Sequence, residues 1–205
     1  MGLYASYIEP ALVSFACSLP PLRRERAKII PEAAGAVLEI GFGSGHNAPY
    51  YDPAKVERLI ALEPSRQMRA RAARRVGAVA FPFSWLDLKA EEIPLDAASV
   101  DTVVTTFTLC TIPDAARALT SVRRVLKPSG RLLFLEHGAA PDPGVRRLQD
   151  QLDPVWGRLA GGCRLSRDPL ALIAEAGFGI ARSQQRYAAG APRFAGFLTS
   201  GVAIA

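Results

Sequence analysis

The stretch VLEIGFGSGHN, Val37 to Asn47, constrains the fold of this chain more than any other part of it. A short apolar run of the kind that forms a buried parallel strand leads directly into glycines at alternate positions, Gly41, Gly43 and Gly45. Glycine reaches backbone conformations that other residues avoid, and it lets a backbone pass close to a ligand. The pattern predicts a strand whose carboxyl end opens into a ligand-binding turn.

Strands and helices alternate along the rest of the chain. Apolar and β-branched runs predict strands at residues 36–40, 58–63, 78–84, 100–109 and 131–137. The first predicted helix opens at His46, after the glycine turn. The next opens at Pro64 and Ser65, and the others span 114–126 with Asp114 as cap, lie around 145–156, and span 168–176. The segments GFGIARSQQRY and PRFAGFLTSGVAIA predict a closing antiparallel pair. Such alternation is typical of one α/β domain with a parallel sheet and right-handed crossovers.

The charge of the chain does not point to nucleic acid. With 25 Lys and Arg against 19 Asp and Glu, the 205 residues carry a net charge of +6. The excess is arginine scattered in runs such as RRERAK and RQMRARAARR. No aromatic residues interleave these runs, as a base-stacking surface needs, so we interpret them as solvated helix faces. We expect a small-molecule partner and no nucleic acid.

The cysteines and the amino-terminal segment bear on the compartment. Cys17, Cys110 and Cys163 lie far apart, in no CxxC pair and without metal-ligand spacing. This favours a reducing, cytoplasmic location and no metal site. The apolar segment at residues 11–19 has no basic leader and is too short to span a bilayer. We expect capping helices over residues 1–35, with at most peripheral membrane contact.

The spacing of the glycines narrows the choice of ligand. In the dinucleotide fingerprint G-x-G-x-x-G, counted from Gly41, the third glycine would stand where this chain has His46. A Walker phosphate loop, G-x-x-x-x-G-K-[ST], does not occur in the sequence. Glu63 ends the second predicted strand about twenty residues further on, where an acid accepts hydrogen bonds from ribose hydroxyls. The pattern indicates a ribose-bearing ligand without an obligatory pyrophosphate site.

Four segments together resemble the class I S-adenosylmethionine-dependent methyltransferases, of the type 11 domain: VLEIGFGSG, LEPS followed by Met68, AEEIPLDAASVDTVV, and RVLKPSGRLLFLEH. The resemblance covers almost the whole chain. It implies a Rossmann-like, doubly wound, mostly parallel seven-stranded sheet with an antiparallel closing strand, and S-adenosylmethionine as cofactor. Phe42 departs from the small residue usual between the first two glycines, and Ser129 replaces a common glycine.

The resemblance also implies cofactor-binding roles. Gly41, Gly43 and Gly45 would form the turn against the methionine and ribose parts, where a Cβ would clash. Glu39 would accept from the cofactor's ammonium group, although a structural carboxylate that caps nearby amides is the alternative. The remaining positions are Glu63 at the ribose, Ala90 and Glu91 along the adenine, and Thr106 near the sulfonium.

We expect residues 36–137 to form the cofactor-binding half of the domain and residues 138–205 the acceptor half. The acceptor half, together with the last part of the cofactor-binding half, is similar to one branch of the family. FTLCTIPD, LEHGAAPD and RRLQDQLDPVWGRLAGGCRLSRD resemble the alkyl-thiol methyltransferases of animals and their bacterial relatives. His137 is the candidate catalytic base, because it follows a strand and has a pKa near neutrality; a structural histidine is the alternative. The residues expected around the acceptor are Cys110, Asp153, Trp156, Cys163 and Arg167. The alternative is that they serve only in packing or as an ion-pair brace.

These observations predict a methyltransferase that acts on a small, apolar acceptor, with a thiol as the first choice. Methylation of a quinol carbon or of a phospholipid amine remains open, since similar cofactor halves occur in those enzymes. A catalytically silent protein that binds S-adenosylmethionine or S-adenosylhomocysteine is the non-enzyme alternative. A nicotinamide-dependent enzyme fits least, and the sequence leaves the oligomeric state open.

Overall fold

The computed structural model describes residue 4 and residues 8–205, and a seven-stranded sheet crosses the described part of the chain. The strand order is β3-β2-β1-β4-β5-β7-β6. The strands are β1 (Gly35–Ile40), β2 (Val56–Leu62), β3 (Phe83–Leu86), β4 (Val100–Thr106), β5 (Leu126–His137), β6 (Gly179–Tyr187) and β7 (Phe197–Ile204).

The sheet is parallel except at β7. Strand β1 pairs in parallel with β2 and β4, and β4 with β5, whereas β7 runs antiparallel to both β5 and β6. The predicted α/β fold with an antiparallel closing strand is confirmed. In register, Glu39 of β1 stands between Ala61 of β2 and Val104 of β4, so the carboxyl ends of these strands meet at one edge. Ligands of open α/β sheets bind at that edge.

Helices cover both faces of the sheet. They are α1 (Glu9–Cys17), α2 (Pro20–Ile29), α3 (Arg66–Val76), α4 (Ala115–Val125), α5 (Pro143–Leu159), α6 (Pro169–Glu175) and the short α7 (Arg193–Gly196). The predicted cap Asp114 accepts from the Arg117 N–H at 3.0 Å, and Asp168 caps α6 in the same way. Among the described residues, no helix combines the length and the apolar character that crossing a membrane requires.

Two apolar cores lie on opposite faces of the sheet. Successive strand residues point to opposite faces, so Val37 of β1 packs in one core and Leu38 in the other. The Leu38 side contains Leu119 of the strongly amphipathic α4. The Val37 side contains Ala72 of α3, which is fully buried. The sheet is therefore covered on both faces, and its open edge at the strand ends is left for a site.

Two local predictions were wrong. The strand expected at residues 78–84 forms only at Phe83–Leu86, because pairing with β2 begins after Pro82, whose carbonyl accepts from the Leu59 N–H. The helix expected to open at His46 is absent from the described chain, where β1 and β2 are joined by one 3₁₀ turn, Ala48–Tyr50.

Candidate active site

A cavity of about 380 Å³ opens at the carboxyl ends of β1, β2 and β4. Its wall combines the glycine turn, the segment after β4, and residues of α1. It carries most of the residues predicted to bind the cofactor: Glu39, Gly41, Gly43, Glu63, Ala90, Glu91 and Thr106. Gly45 lies off this wall, where a Cβ would meet the Phe42 ring at 3.0 Å. One contiguous surface thus unites segments far apart in the chain.

The glycine turn adopts left-handed backbone conformations, but the reason for Gly41 differs from the predicted one. Gly41 has φ +70°, and a Cβ there would lie 2.5 Å from Cγ2 of Thr108. The close approach that demands glycine is thus to the protein's own segment after β4. Gly43 has φ +57° and only open space before it, with the nearest atom, the Gly41 carbonyl oxygen, at 3.8 Å. Space for a ligand lies at Gly43.

Glu39 lies fully buried at the end of β1, in a network of hydrogen bonds. Asn47 Nδ2 donates to its Oε1 at 2.8 Å, and the Tyr51 hydroxyl donates to its Oε2 at 2.6 Å. Asn47 Nδ2 also donates to Thr106 Oγ1 at 2.9 Å. Burial raises the pKa of Glu39 to about 8, although the hydrogen bonds from Tyr51 and Asn47 oppose the shift. A cationic ligand group nearby would favour the ionised carboxylate.

Arg26 is the exception among the basic runs predicted to be solvated. It is only 2% exposed. Its Nε donates to Asn47 Oδ1 at 3.0 Å, its Nη1 donates to the Cys17 carbonyl at 2.7 Å, and its guanidinium lies 5.1 Å from the Phe107 ring centroid. Buried charges need such partners. Arg26 therefore ties α2 to the cavity wall and fixes the amide of Asn47.

Glu63 follows β2 and holds the glycine turn from the opposite side. Its Oε2 accepts from the Gly43 N–H and its Oε1 from the Ser65 N–H, both at 2.8 Å. Burial raises the pKa of Glu63, and these two backbone donors oppose the shift. Each carboxylate oxygen has a second lone pair, so the Glu63 carboxylate, which lines the cavity, can still accept hydrogen bonds from ligand hydroxyls.

Two phenylalanines shape the wall in different ways. Phe42, the departure from the family motif, turns its ring toward Phe83 and Trp85, with edge-to-face centroid distances of 5.5 and 5.3 Å. Phe107, directly after β4, has φ +55°, a conformation uncommon for a bulky residue. Its N–H donates to the Leu135 carbonyl at 2.9 Å. Phe107 lines the cavity next to Thr106, the residue expected near the sulfonium.

His46 also lies on the wall, and its ionisation is suppressed. Its Nε2 lies 2.9 Å from the Ser14 carbonyl, which requires the proton on that nitrogen. Burial, with the positive charges of Arg26 and Arg75, lowers the pKa of His46 to about 4. The imidazole is neutral near pH 7 and is a weak base there.

The candidate base His137 lies behind Phe107 and not on the cavity wall. The two rings stack with centroids 6.5 Å apart. His137 Nε2 lies 3.1 Å from Cys163 Sγ, and Cys110 Sγ completes a cluster whose ligand atoms lie within 4.8 Å of one another. Burial lowers the pKa of His137, but its contact with Cys163 outweighs that effect. The pKa of Cys163 is lowered to about 5, mainly by its contact with Cys110 and to a smaller extent by its contact with His137.

The other residues expected around the acceptor support the segment that follows α5. Trp156 Nε1 donates to Cys163 Sγ at 3.3 Å. Asp153 accepts from the Leu165 N–H at 2.5 Å. Arg167 Nη1 donates to the Leu109 and Ile112 carbonyls at 2.5 and 2.6 Å. As far as the described residues go, neither these side chains nor the cysteines of the cluster reach the cavity wall, so their contact with an acceptor stays a prediction.

Sequence reasoning missed three residues that organise the wall: Arg26, Asn47 and Tyr51. Asn47 ends the glycine-rich stretch Val37 to Asn47, and its amide bridges Glu39, Thr106 and Arg26. A polar residue directly after a glycine turn was the available signal. Arg26 carried none, since nothing local distinguishes it from its solvated neighbours.

Comparison with known proteins identifies the family. The methyltransferase domain family matches residues 38–134. Thiol S-methyltransferase TMT1A from Homo sapiens is 32% identical over 165 residues, covering 76% of this chain and 67% of that protein. The chain belongs to the class I S-adenosylmethionine-dependent methyltransferases. This confirms the resemblance on which the assignment of an enzyme was based.

Two other relatives of this methyltransferase carry names that state different acceptors, a benzoquinol and a phospholipid. The 2-methoxy-6-polyprenyl-1,4-benzoquinol methylase from Mus musculus is 39% identical, over 38% of this chain and 25% of that protein. Phosphatidylethanolamine N-methyltransferase from Cereibacter sphaeroides is 29% identical, over 57% of this chain and 58% of that protein. The chain spans less than two thirds of the length of these two relatives and two thirds of the length of the thiol S-methyltransferase.

Solved structures agree on the fold of the methyltransferase. The methyltransferase in complex with the Haloferax volcanii Trm112 activator superposes with a TM-score of 0.73 at 18% identity, covering 98% of this chain and 96% of that chain. An S-adenosylmethionine-dependent methyltransferase from Thermotoga maritima gives a TM-score of 0.62 at 21% identity, covering 98% and 95%. At such identities the likeness establishes the Rossmann-like architecture alone.

Proposed function

We propose that this methyltransferase transfers the methyl group of S-adenosylmethionine to a small, apolar thiol. The observation that carries the choice of acceptor is the extent of the match to the thiol S-methyltransferase. A match over 76% of the chain has to extend beyond residues 38–134, the methyltransferase domain. The match to the benzoquinol methylase covers 38% of the chain, an extent that the shared cofactor half alone can supply.

The wall of the cavity fits the proposed cofactor. S-adenosylmethionine presents an ammonium group, a sulfonium and two ribose hydroxyls, and the wall presents two buried carboxylates, Glu39 and Glu63. Glu63 would accept from the ribose hydroxyls. Glu39 would bind the ammonium group directly or through water. The bound cofactor supplies a methyl group already activated on a sulfonium.

The rest of the wall fits an apolar acceptor. Beyond the carboxylates it is formed in large part by apolar side chains, Pro10, Val13, Met68, Phe107, Ile112 and Pro113. Such residues exclude water and hold an acceptor in line with the methyl group, and positioning of this kind supplies much of the rate of a bimolecular transfer. Thr106 ends β4 and Phe107 follows it, and both line the cavity.

The acceptor sulfur must lose its proton before or during methyl transfer. The prediction that His137 removes it stays a prediction, because the described contacts of the ring are with Cys163 and Phe107. His46 lies on the wall, but its low pKa makes it a weak base. We therefore propose that the acceptor enters as the thiolate. The rate should then follow the ionisation of the thiol, and the pH profile should move when a thiol of different pKa is used.

The test is release of S-adenosylhomocysteine by the purified chain with S-adenosylmethionine and a small alkyl thiol. A reaction without acceptor, a quinol and a phospholipid vesicle run in parallel. We expect release that requires the thiol and that Glu63→Ala lowers at a limiting concentration of S-adenosylmethionine. Release only with the quinol or the vesicle would replace the thiol by that acceptor. Binding of S-adenosylhomocysteine with no turnover on any acceptor would identify a silent binding protein.

The pH profile also decides the role of His137. If His137 is the base, His137→Gln removes one limb of the profile and lowers turnover while cofactor affinity is retained. If the thiolate enters from solution, His137→Gln has the same pH profile of turnover as the parent chain. That profile then shifts only when an acceptor thiol of different pKa is used.

A further inference from the structure

We propose that Cys110, His137 and Cys163 form a binding site for one thiophilic divalent cation, Zn²⁺. The three residues come from the segment after β4, the end of β5 and the segment after α5. Their ligand atoms lie within 4.8 Å of one another. The sequence predicted no metal because the residues stand 27 and 26 positions apart; folding alone brings them together.

The distances fit tetrahedral coordination after small shifts. Zinc binds thiolate sulfur at about 2.3 Å and imidazole nitrogen at about 2.0–2.1 Å, which places tetrahedral ligand atoms about 3.6–3.8 Å apart. Cys163 Sγ and His137 Nε2 are 3.1 Å apart. A side-chain movement of less than about 1 Å in each ligand therefore admits the ion. Two thiolates and one imidazole are the donors that select zinc over hard cations such as Mg²⁺.

The electrostatics of the cluster favour a divalent ion. Cys110 and Cys163 are 3% and 7% exposed, and a lone thiolate is costly in such surroundings. Binding of Zn²⁺ requires both cysteines as thiolates and His137 as the neutral imidazole, so the protons that these groups carry pass to solvent. The resulting centre, with two thiolates and a neutral imidazole, carries no net charge. The indole N–H of Trp156 already points at Cys163 Sγ, as an outer donor to a metal-bound sulfur does.

The backbone is built to hold the third ligand in place. The Arg164 N–H, next to Cys163, donates to the Cys110 carbonyl at 3.0 Å. Gly161 and Gly162 before it both have positive φ, at +62° and +84°. Ala160 and Gly161 lie on the cavity wall. The ion would therefore tie the segment after α5 to the sheet and fix one side of the cavity. Three protein ligands leave a fourth position for water, as in open zinc sites.

The experiment is titration of the reduced, chelator-treated full chain with Co²⁺ under argon, followed by displacement with Zn²⁺. We expect one equivalent to bind, with sulfur-to-cobalt charge transfer and the intense visible bands of tetrahedral cobalt. Cys110→Ser, Cys163→Ser and His137→Gln should each weaken binding beyond the about 10- to 100-fold typical of outer-shell changes. Cys17→Ser is the matched control, since Cys17 lies outside the cluster, and it should retain the spectrum.

A second measurement uses the unaltered chain, in case a variant fails to fold. Zinc should protect Cys110 and Cys163 from alkylation, as read by mass spectrometry, and should leave Cys17 reactive. Zinc should also raise the unfolding temperature of the parent chain. Equal alkylation of all three thiols with and without zinc, loss of the cobalt spectrum in Cys17→Ser, or a Cys110–Cys163 disulfide in place of metal uptake would each overturn the proposal.

Discussion

Gly41→Ala offers the most direct test of how the glycine turn is built. The geometry allows two effects of the substitution on the free energy of unfolding to be estimated separately. An alanine held at φ +70° pays for the left-handed conformation, at about 1–2 kcal/mol. Its Cβ would also lie 2.5 Å from Thr108 Cγ2, and Thr108 is only 8% exposed. Forcing a methyl group into a well-packed site costs a further 1–3 kcal/mol, roughly.

The two costs predict a loss of about 2–5 kcal/mol in the free energy of unfolding. That is a large part of the stability of about 5–15 kcal/mol usual for a domain. Gly190→Ala is the matched control, because Gly190 has φ +79° and no atom within 4 Å of a Cβ. It should lose only the conformational part, about 1–2 kcal/mol.

Urea denaturation of the parent chain and both variants, followed by circular dichroism, measures these free energies. The quantity of interest is the difference between Gly41→Ala and Gly190→Ala, which isolates the contact with Thr108. If the two variants lose the same stability, the contact with Thr108 is not what demands glycine at Gly41, and the reasoning fails. Gly43→Ala adds a complementary readout, since open space there predicts a modest loss of stability but weaker binding of S-adenosylhomocysteine.

Three further predictions address the carboxylates. Glu63→Ala should weaken S-adenosylhomocysteine binding, measured by calorimetry, by about 10- to 100-fold, because hydrogen bonds to a charged acceptor contribute about 1.5–3 kcal/mol. Glu57→Ala, at an exposed position, is the control. Equal affinity of the two variants would refute the ribose assignment. The folded pKa of Glu39, about 8, exceeds its ordinary value of 4.5, so its stabilising contribution is complete below pH 4.5 and is lost as the pH rises through 8. Urea titrations should show that the parent chain loses stability between pH 5 and pH 8 relative to Glu39→Gln, by about 3 kcal/mol, and parallel curves would contradict this. Asp153→Asn should lower the free energy of unfolding by about 1–3 kcal/mol, because Asp153 holds the segment after α5 through the Leu165 and Ser166 N–H groups. Asp150→Asn, on the exposed side of the same helix, is its control, and an equal effect of the two substitutions would show that the capping contacts contribute nothing.

Much of the cofactor side could be predicted from the sequence because its signals are local. An apolar run, a glycine turn and an acid at the next strand end identify consecutive elements of a parallel sheet. Parallel strands bring their carboxyl ends to one edge, so Glu39, Gly43, Glu63 and Thr106 converge once the strands pair. The geometry then follows from the topology, and one wall carries them all.

The acceptor side could not be placed in this way. Cys110 and Arg167 lie in segments between elements, and Asp153 lies on α5 but accepts from the segment that follows it. These contacts depend on how the segments fold back onto the sheet. Loop conformation is set by long-range contacts that leave no periodic trace in the sequence. The same holds for Arg26, whose solvated neighbours share its charge but not its partners.

The sequence by itself determined the α/β class, the parallel sheet with its antiparallel closing strand, and the edge at which a ribose-bearing ligand is expected. These follow from residue periodicity and from the conformational freedom of glycine, which act over a few residues. Only the tertiary structure decided that Gly41 is required by Thr108 and that His137 faces two cysteines. Those facts depend on packing between segments distant in the chain, where the position of one side chain is fixed by atoms that no local pattern specifies.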